Sequence, residues 1–195
     1  MSNRPFSFQI SETDGIPLRC DNHITRHLSD MRGQFLDQRA YDAIHSKDDV
    51  LLYEVYEIKL PEVEGELQHG ISVVHPGKVG CEYFMTKGHF HKVLNTAEVY
   101  YCLHGEGVMV METPEGDWSV EEMHPGAVVY VPPRWGHRSV NTNLHSNLVM
   151  FFVYPANAGH DYISIEQQGF RKLIVDREGR YEIIDNPNWI SPDVR

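Results

Sequence analysis

Long apolar runs are missing from this chain of 195 residues. The longest, Leu148 to Tyr154, is seven residues, far short of the roughly 20 a membrane-spanning helix needs, so no membrane partner is expected. Met1-Ser2-Asn3-Arg4-Pro5 has none of the apolar stretch of a secretory leader. Cysteine is scarce and odd in number; Cys20, Cys81 and Cys102 are too widely spaced to suggest a disulfide framework. Positive charge is also short, 17 Lys and Arg against 28 Asp and Glu, for a net charge of -11. That balance argues against nucleic acid, which requires a basic face. It also repels anionic ligands at long range, so any bound anion must be held by local donors. Together these absences predict a cytoplasmic globular protein.

The remaining composition, 41% hydrophobic and 23% charged, suits one packed domain with extensions. An N-terminal extension over residues 1–49 is expected to carry short helices packing on a barrel. Asp21-Asn22 offers a cap for a helix with Ile24, Leu28 and Met31 on one face, closed by Gly33. Leu36, Ala40 and Ile44 suggest a second helical turn. From Val50 the texture changes to short runs of Val, Ile, Tyr and Phe between Gly, Pro and Asn breaks, the pattern of an all-β sandwich or barrel. The barrel is assigned to 50–162, with strands including Leu51–Leu60, Gln68–Val74, Tyr83–Lys92, Glu98–Leu103 and Asn147–Tyr154. Residues 163–195 are read as a C-terminal extension of the same domain, a β-hairpin turning at Glu178-Gly179.

Two histidine-bearing blocks carry the chemistry. The first is Gly88-His89-Phe90-His91, followed after a spacer by Glu98 and Gly105; the second is Gly126, Pro132, His137 and Asn141. His89 and His91 are two apart, so on a strand both side chains leave one face. Glu98 lies at an odd offset from His91, and a turn at Leu94-Asn95-Thr96 is needed to bring it back toward them. His137 comes from a remote strand after Pro132-Pro133. Three imidazoles and a carboxylate suit Fe, Mn, Zn or Ni, and the lack of thiolate argues against a closed structural zinc site. A lone His-x-His is a weak signal; the turn residues flanking both blocks make the combined pattern far more specific.

These blocks resemble the two motifs of the cupin superfamily, small jelly-roll β-barrels. The spacer between His91 and Glu98 is longer than in the common motif, and Arg134 stands where Gly is frequent. Tyr83 to His91 (with Thr86-Lys87-Gly88-His89-Phe90-His91), Ala97-Glu98-Val99-Tyr100 and Ala158-Gly159-His160-Asp161-Tyr162 are similar to the cupin-type phosphoglucose isomerases. The resemblance runs from about residue 20 to Trp189. It implies an all-β fold with a single cupin jelly-roll barrel, interconversion of glucose 6-phosphate and fructose 6-phosphate, a divalent metal often given as iron, and a homodimer. It also implies His89, His91, Glu98 and His137 as metal ligands, and a phosphate pocket at Thr86 and Gly88 with Ser72 and Tyr154 nearby. Lys87 is the adjacent cation, its side chain directed either to that pocket or outward from the strand. Tyr100, His160 and Tyr162 would line the sugar end.

Isomerisation moves a hydrogen between C1 and C2, and Glu98 is the candidate base, which must either loosen from the metal or share the task with Tyr100 or His160; a hydride shift would need no base. The rivals are an Fe(II)-dependent cupin oxygenase using the same ligands and a non-catalytic sugar-phosphate-binding cupin. For Tyr100 and Tyr154 the plainer alternative is barrel filling; for His160, a loop histidine; for Ser72, an ordinary strand residue.

Overall fold

The computed structural model describes residues 4–190. Met1 to Asn3 of the N-terminal pentapeptide, and residues 191–195, lie outside the described residues. Along the chain run β1 (Asn22–His27), a 3-10 turn (Leu28–Met31), α1 (Gln38–His45), β2 (Leu51–Ile58), β3 (Leu67–Val74), β4 (Lys78–Val79) and β5 (Glu82–Tyr83). Then come β6 (Phe90–His91), β7 (Glu98–His104), β8 (Gly107–Glu112), β9 (Trp118–Met123), β10 (Val128–Val131) and β11 (Gly136–Asn141). The last described elements are β12 (Leu148–Pro155), β13 (His160–Asp161), α2 (Ile163–Gln168), β14 (Lys172–Arg177) and β15 (Arg180–Asp185). The all-β expectation therefore holds.

A six-stranded sheet in the order β1-β2-β3-β12-β7-β10 and a three-stranded sheet in the order β11-β8-β9 carry most of the strands. One hydrophobic cluster joins their inner faces, with Met150, Phe152 and Tyr100 from the larger sheet and Val108, Val110 and Val140 from the smaller. β8 reads Gly-Val-Met-Val-Met-Glu and is buried at every position. Its neighbour β9 reads Trp-Ser-Val-Glu-Glu-Met, with three positions exposed and only Met123 fully buried. The sequence thus marks which of the two is central and which is the edge.

The helix expected from Asn22 is instead β1. Asn22, Ile24 and Arg26 turn inward while His23 and Thr25 face solvent, the period of two that a half-buried strand requires. Pairing with β2 (Ile24 opposite Val55, Arg26 opposite Tyr53) satisfies that backbone. The helical spacing of Ile24, Leu28 and Met31 is a coincidence, because Leu28 and Met31 are buried by a separate 3-10 turn. The second helical expectation is met by α1, where Asp37 caps the N-terminus by accepting from the Ala40 amide at 2.9 Å. The long strand expected over Tyr83–Lys92 is broken into β5 and β6. Gly88 lies in that break with φ +77, a left-handed conformation glycine adopts without steric penalty. Helix α2, after Tyr162, had no counterpart in the sequence reading.

Candidate metal centre

His89 and His137 face each other as an isolated antiparallel pair. The His89 amide donates to the His137 carbonyl at 3.2 Å, and the His137 amide donates to the His89 carbonyl at 3.0 Å. This pair of hydrogen bonds brings the two imidazoles edge to face, with ring centroids 4.5 Å apart. His91 follows on β6, paired with His160 of β13. Glu98 opens β7 opposite Val131 of β10.

The two departures from the common cupin pattern touch one another. The Arg134 amide donates to the Leu94 carbonyl, inside the lengthened spacer, at 2.7 Å. Arg134 makes that contact from φ +76, which disfavours any residue but glycine or asparagine. The spacer and the residue in the glycine position are thus parts of one local arrangement beside Glu98.

One ligand atom from each of His89, His91, Glu98 and His137 lies within 4.8 Å of all the others. Glu98 Oε2 is 3.0 Å from His137 Nε2 and 3.2 Å from His91 Nε2. Even so, these atoms and His89 Nε2 are buried without a hydrogen-bond partner, so the short contacts are ion-pair distances without hydrogen-bond alignment. Leaving four such atoms unpaired would cost roughly 1–3 kcal/mol each. A divalent ion bound by three nitrogens and one oxygen removes that cost, and the residues fit one. Behind the ligands, His91 Nδ1 lies 3.4 Å from the Gly159 carbonyl, the kind of outer contact that orients a metal-binding ring.

The electrostatics point the same way. Burial pushes the Glu98 carboxyl up, but the His137 and His91 imidazoles together outweigh it and bring it down to about 2, so Glu98 is ionised at neutral pH. Burial holds His89 well below the ordinary histidine value and lowers His160 to about 4, leaving both rings neutral. Burial and then the Glu98 charge raise Tyr100 well above the usual phenol range, so it remains a donor.

One cavity opens onto this cluster, and it collects most of the expected substrate residues: Ser72, Thr86, Gly88, Tyr154 and Tyr162, with Tyr100 and His160. The His160 ring lies 4.3 Å from that of His89 and stacks on Tyr162 at 5.7 Å. Lys87 does not line the cavity. Its ammonium bonds Glu166 of α2 at 2.8 Å, so the adjacent cation suggested by the resemblance is directed to α2. Conversely, Ile24 and Arg26 of β1 and Tyr53, Val55 and Glu57 of β2 line the cavity but were absent from the expected set. The alternation Asn22-Ile24-Arg26 opposite Tyr53-Val55-Glu57 was the signal for them, hidden by reading residues 22–33 as a helix.

A family model described as "Glucose-6-phosphate isomerase (GPI)" matches residues 25–190. A glucose-6-phosphate isomerase of Thermococcus gammatolerans is 49% identical over 187 residues, covering 95% of this chain and 97% of its own length. That of Pyrococcus furiosus is 44% identical over 189 residues, covering 97% and 99%. A putative glucose-6-phosphate isomerase 1 of Rhizobium meliloti is 42% identical over 171 residues, covering 86% and 79%. Among solved structures an oxalate oxidase aligns with 58% of this chain and 56% of its own at 14% identity and a TM-score of 0.47, a likeness too slight to bear on chemistry.

Proposed function

The chain belongs to the glucose-6-phosphate isomerase family, and we propose that it interconverts glucose 6-phosphate and fructose 6-phosphate at the centre formed by His89, His91, Glu98 and His137. The observation that carries this reading is the set of four buried, unpartnered ligand atoms facing a cavity furnished with hydroxyl and imidazole donors. A divalent ion held there would supply Lewis-acid polarisation of the substrate carbonyl.

The remaining work belongs to side chains. Glu98, ionised and buried, takes the proton from C2 of the aldose and returns it at C1, the role of a positioned carboxylate base. Tyr100 stays protonated and donates to a developing oxyanion, while neutral His160 bonds a sugar hydroxyl. For the phosphate, Thr86 Oγ1 already accepts from the Ser139 amide at 3.1 Å, which leaves its hydroxyl proton free to donate. The Gly88 amide, Ser72 and Tyr154 complete the anion end.

We read the ion as iron, with Mn, Zn or Ni as alternatives suited to the same donors, and the protein as a cytoplasmic homodimer. We also read the chain as one domain, a barrel over 50–162 with extensions over 1–49 and 163–195. The pairing of β1 with β2 and of β14 with β5 supports joining the extensions to it. No helix among the described residues is long and apolar enough to cross a membrane.

A coupled assay of fructose 6-phosphate conversion, before and after chelation and after metal add-back, tests the function. Activity should vanish with the chelator and return with the ion. Oxygen consumption without isomerisation would indicate an oxygenase. Saturable sugar-phosphate binding with no turnover would indicate a binding protein.

A further inference from the structure

We propose that Arg26 is the cation that selects the substrate's phosphate. The inference deepens the functional reading above and rests on it. In a protein of net charge -11, long-range attraction cannot concentrate a sugar phosphate, so preference for the anion must come from a local positive charge. Lys87 is committed to Glu166. Arg26 alone, among the residues lining the cavity, carries a permanent positive charge.

Its position fits that task. Arg26 lies on the inward face of β1, opposite Tyr53 of β2, and shares the cavity with Thr86 and Gly88. The β1–β2 register slips between Arg26 and His27, and such a bulge re-aims the side chain beside it. The guanidinium donates to the Thr25 carbonyl at 3.3 Å, and no carboxylate forms an ion pair with it among the described residues. Glu57, the acid on the same face, instead accepts from Asn22 Nδ2 at 2.7 Å. Arg26 is thus a half-buried cation lining the cavity with no ion-paired carboxylate among the described residues, and its planar fork can bind two phosphate oxygens at once.

The test uses the metal-loaded protein and its Arg26→Gln and Arg26→Lys variants, titrated calorimetrically with fructose 6-phosphate and with unphosphorylated fructose, alongside steady-state rates and metal content. Arg26→Gln should weaken fructose 6-phosphate binding roughly 10- to 100-fold, the scale of losing a charge-assisted contact. Fructose binding and metal content should stay unchanged, and KM should rise more than kcat falls. Arg26→Lys should recover part of the loss. Fructose 6-phosphate affinity within twofold of the native protein in Arg26→Gln, or equal weakening of sugar and sugar phosphate, overturns the assignment. If Arg26→Gln does not fold, Arg26→Lys decides: several-fold weaker fructose 6-phosphate binding at unchanged fructose binding supports it, and native affinity overturns it. Absence of isomerisation by the native protein would instead overturn the functional reading, leaving Arg26 to be judged on the titrations alone.

Discussion

The carbonyl of Lys87 accepts two hydrogen bonds from the Arg138 guanidinium, 3.1 Å from Nε and 2.6 Å from Nη2. Arg138 follows His137 and Lys87 precedes the glycine that leads into His89, so this contact ties the two halves of the four-residue cluster together. The guanidinium also donates to Gln34 at 3.0 Å and lies 4.7 Å from the Phe170 ring centroid. Burial lowers its pKa to about 10, still far above neutrality, and the charges of Glu82 and Glu112 hold it up.

Replacing Arg138 with leucine removes that buried cation and leaves its carboxylate neighbours uncompensated. The expected loss is about 3 kcal/mol or more of unfolding free energy, read from the urea midpoint of the metal-free protein. A variant as stable as the native chain would mean that the guanidinium does not hold the Thr86–Gly88 segment.

Gly88→Ala should damage both the fold and the centre. At φ +77 a Cβ would lie 2.5 Å from the Phe170 ring and 3.0 Å from the His137 carbonyl, too close for His89 to keep its bridge to His137. The conformational strain alone is worth about 1–3 kcal/mol, and displacement of His89 should lower metal content per chain. Full metal occupancy together with native stability would refute this account.

His137→Ala removes one of the four converging groups while leaving most of the surrounding packing in place. The variant should fold, lose its divalent ion on dialysis and lose isomerase activity. Elemental analysis showing one ion per chain in this variant would remove His137 from the centre.

The convergence of His89, His91 and Glu98 was legible in the sequence because that constraint is local: His89 and His91 are two apart, and Leu94–Thr96 supplies the turn that Glu98 needs. The strand blocks were legible from Val, Ile and Tyr runs between Gly, Pro and Asn breaks, and Leu51, Val74 and Glu98 fall at strand ends as read. The helix over 22–33 was misread because Ile24, Leu28 and Met31 satisfy a helical period by chance, and only the edge of β2 decides for a strand. That misreading hid Arg26 and, with it, the pairing that brings Tyr53 to the cavity. Lys87 was misplaced because a sequence neighbour of Thr86 and Gly88 need not share their direction.

Acid should destabilise the metal-free protein. His89 and His160 have folded pKa values pushed down by burial, His160 to about 4, against about 6.5 when unfolded. The unfolded chain therefore binds more protons between those values. Stability should fall as pH drops from about 6.5 to about 4, by up to about 1.4 kcal/mol per pH unit for each group. Glu98, lowered to about 2, extends the decline, since its contribution is lost as pH falls through its folded value. Urea midpoints between pH 7.5 and 4 read the effect directly, and a midpoint that rises between pH 6.5 and 5 would contradict it.

Glu98→Gln separates coordination from proton transfer. If Glu98 served only as a ligand, the amide variant would bind the ion more weakly and excess metal would restore most of the rate. A glutamine cannot take a proton from C2, so as the base its loss should depress the rate roughly 10²–10⁴-fold at full metal occupancy. The second outcome is expected, because Glu98 is the one carboxylate of the buried cluster and the Tyr100 phenol stays protonated. Isomerisation in deuterated water gives the independent reading. Solvent deuterium at C1 or C2 of the product marks proton transfer, whereas no incorporation, together with a metal-saturated variant that keeps its rate, would mark a hydride shift and leave Glu98 as a ligand alone.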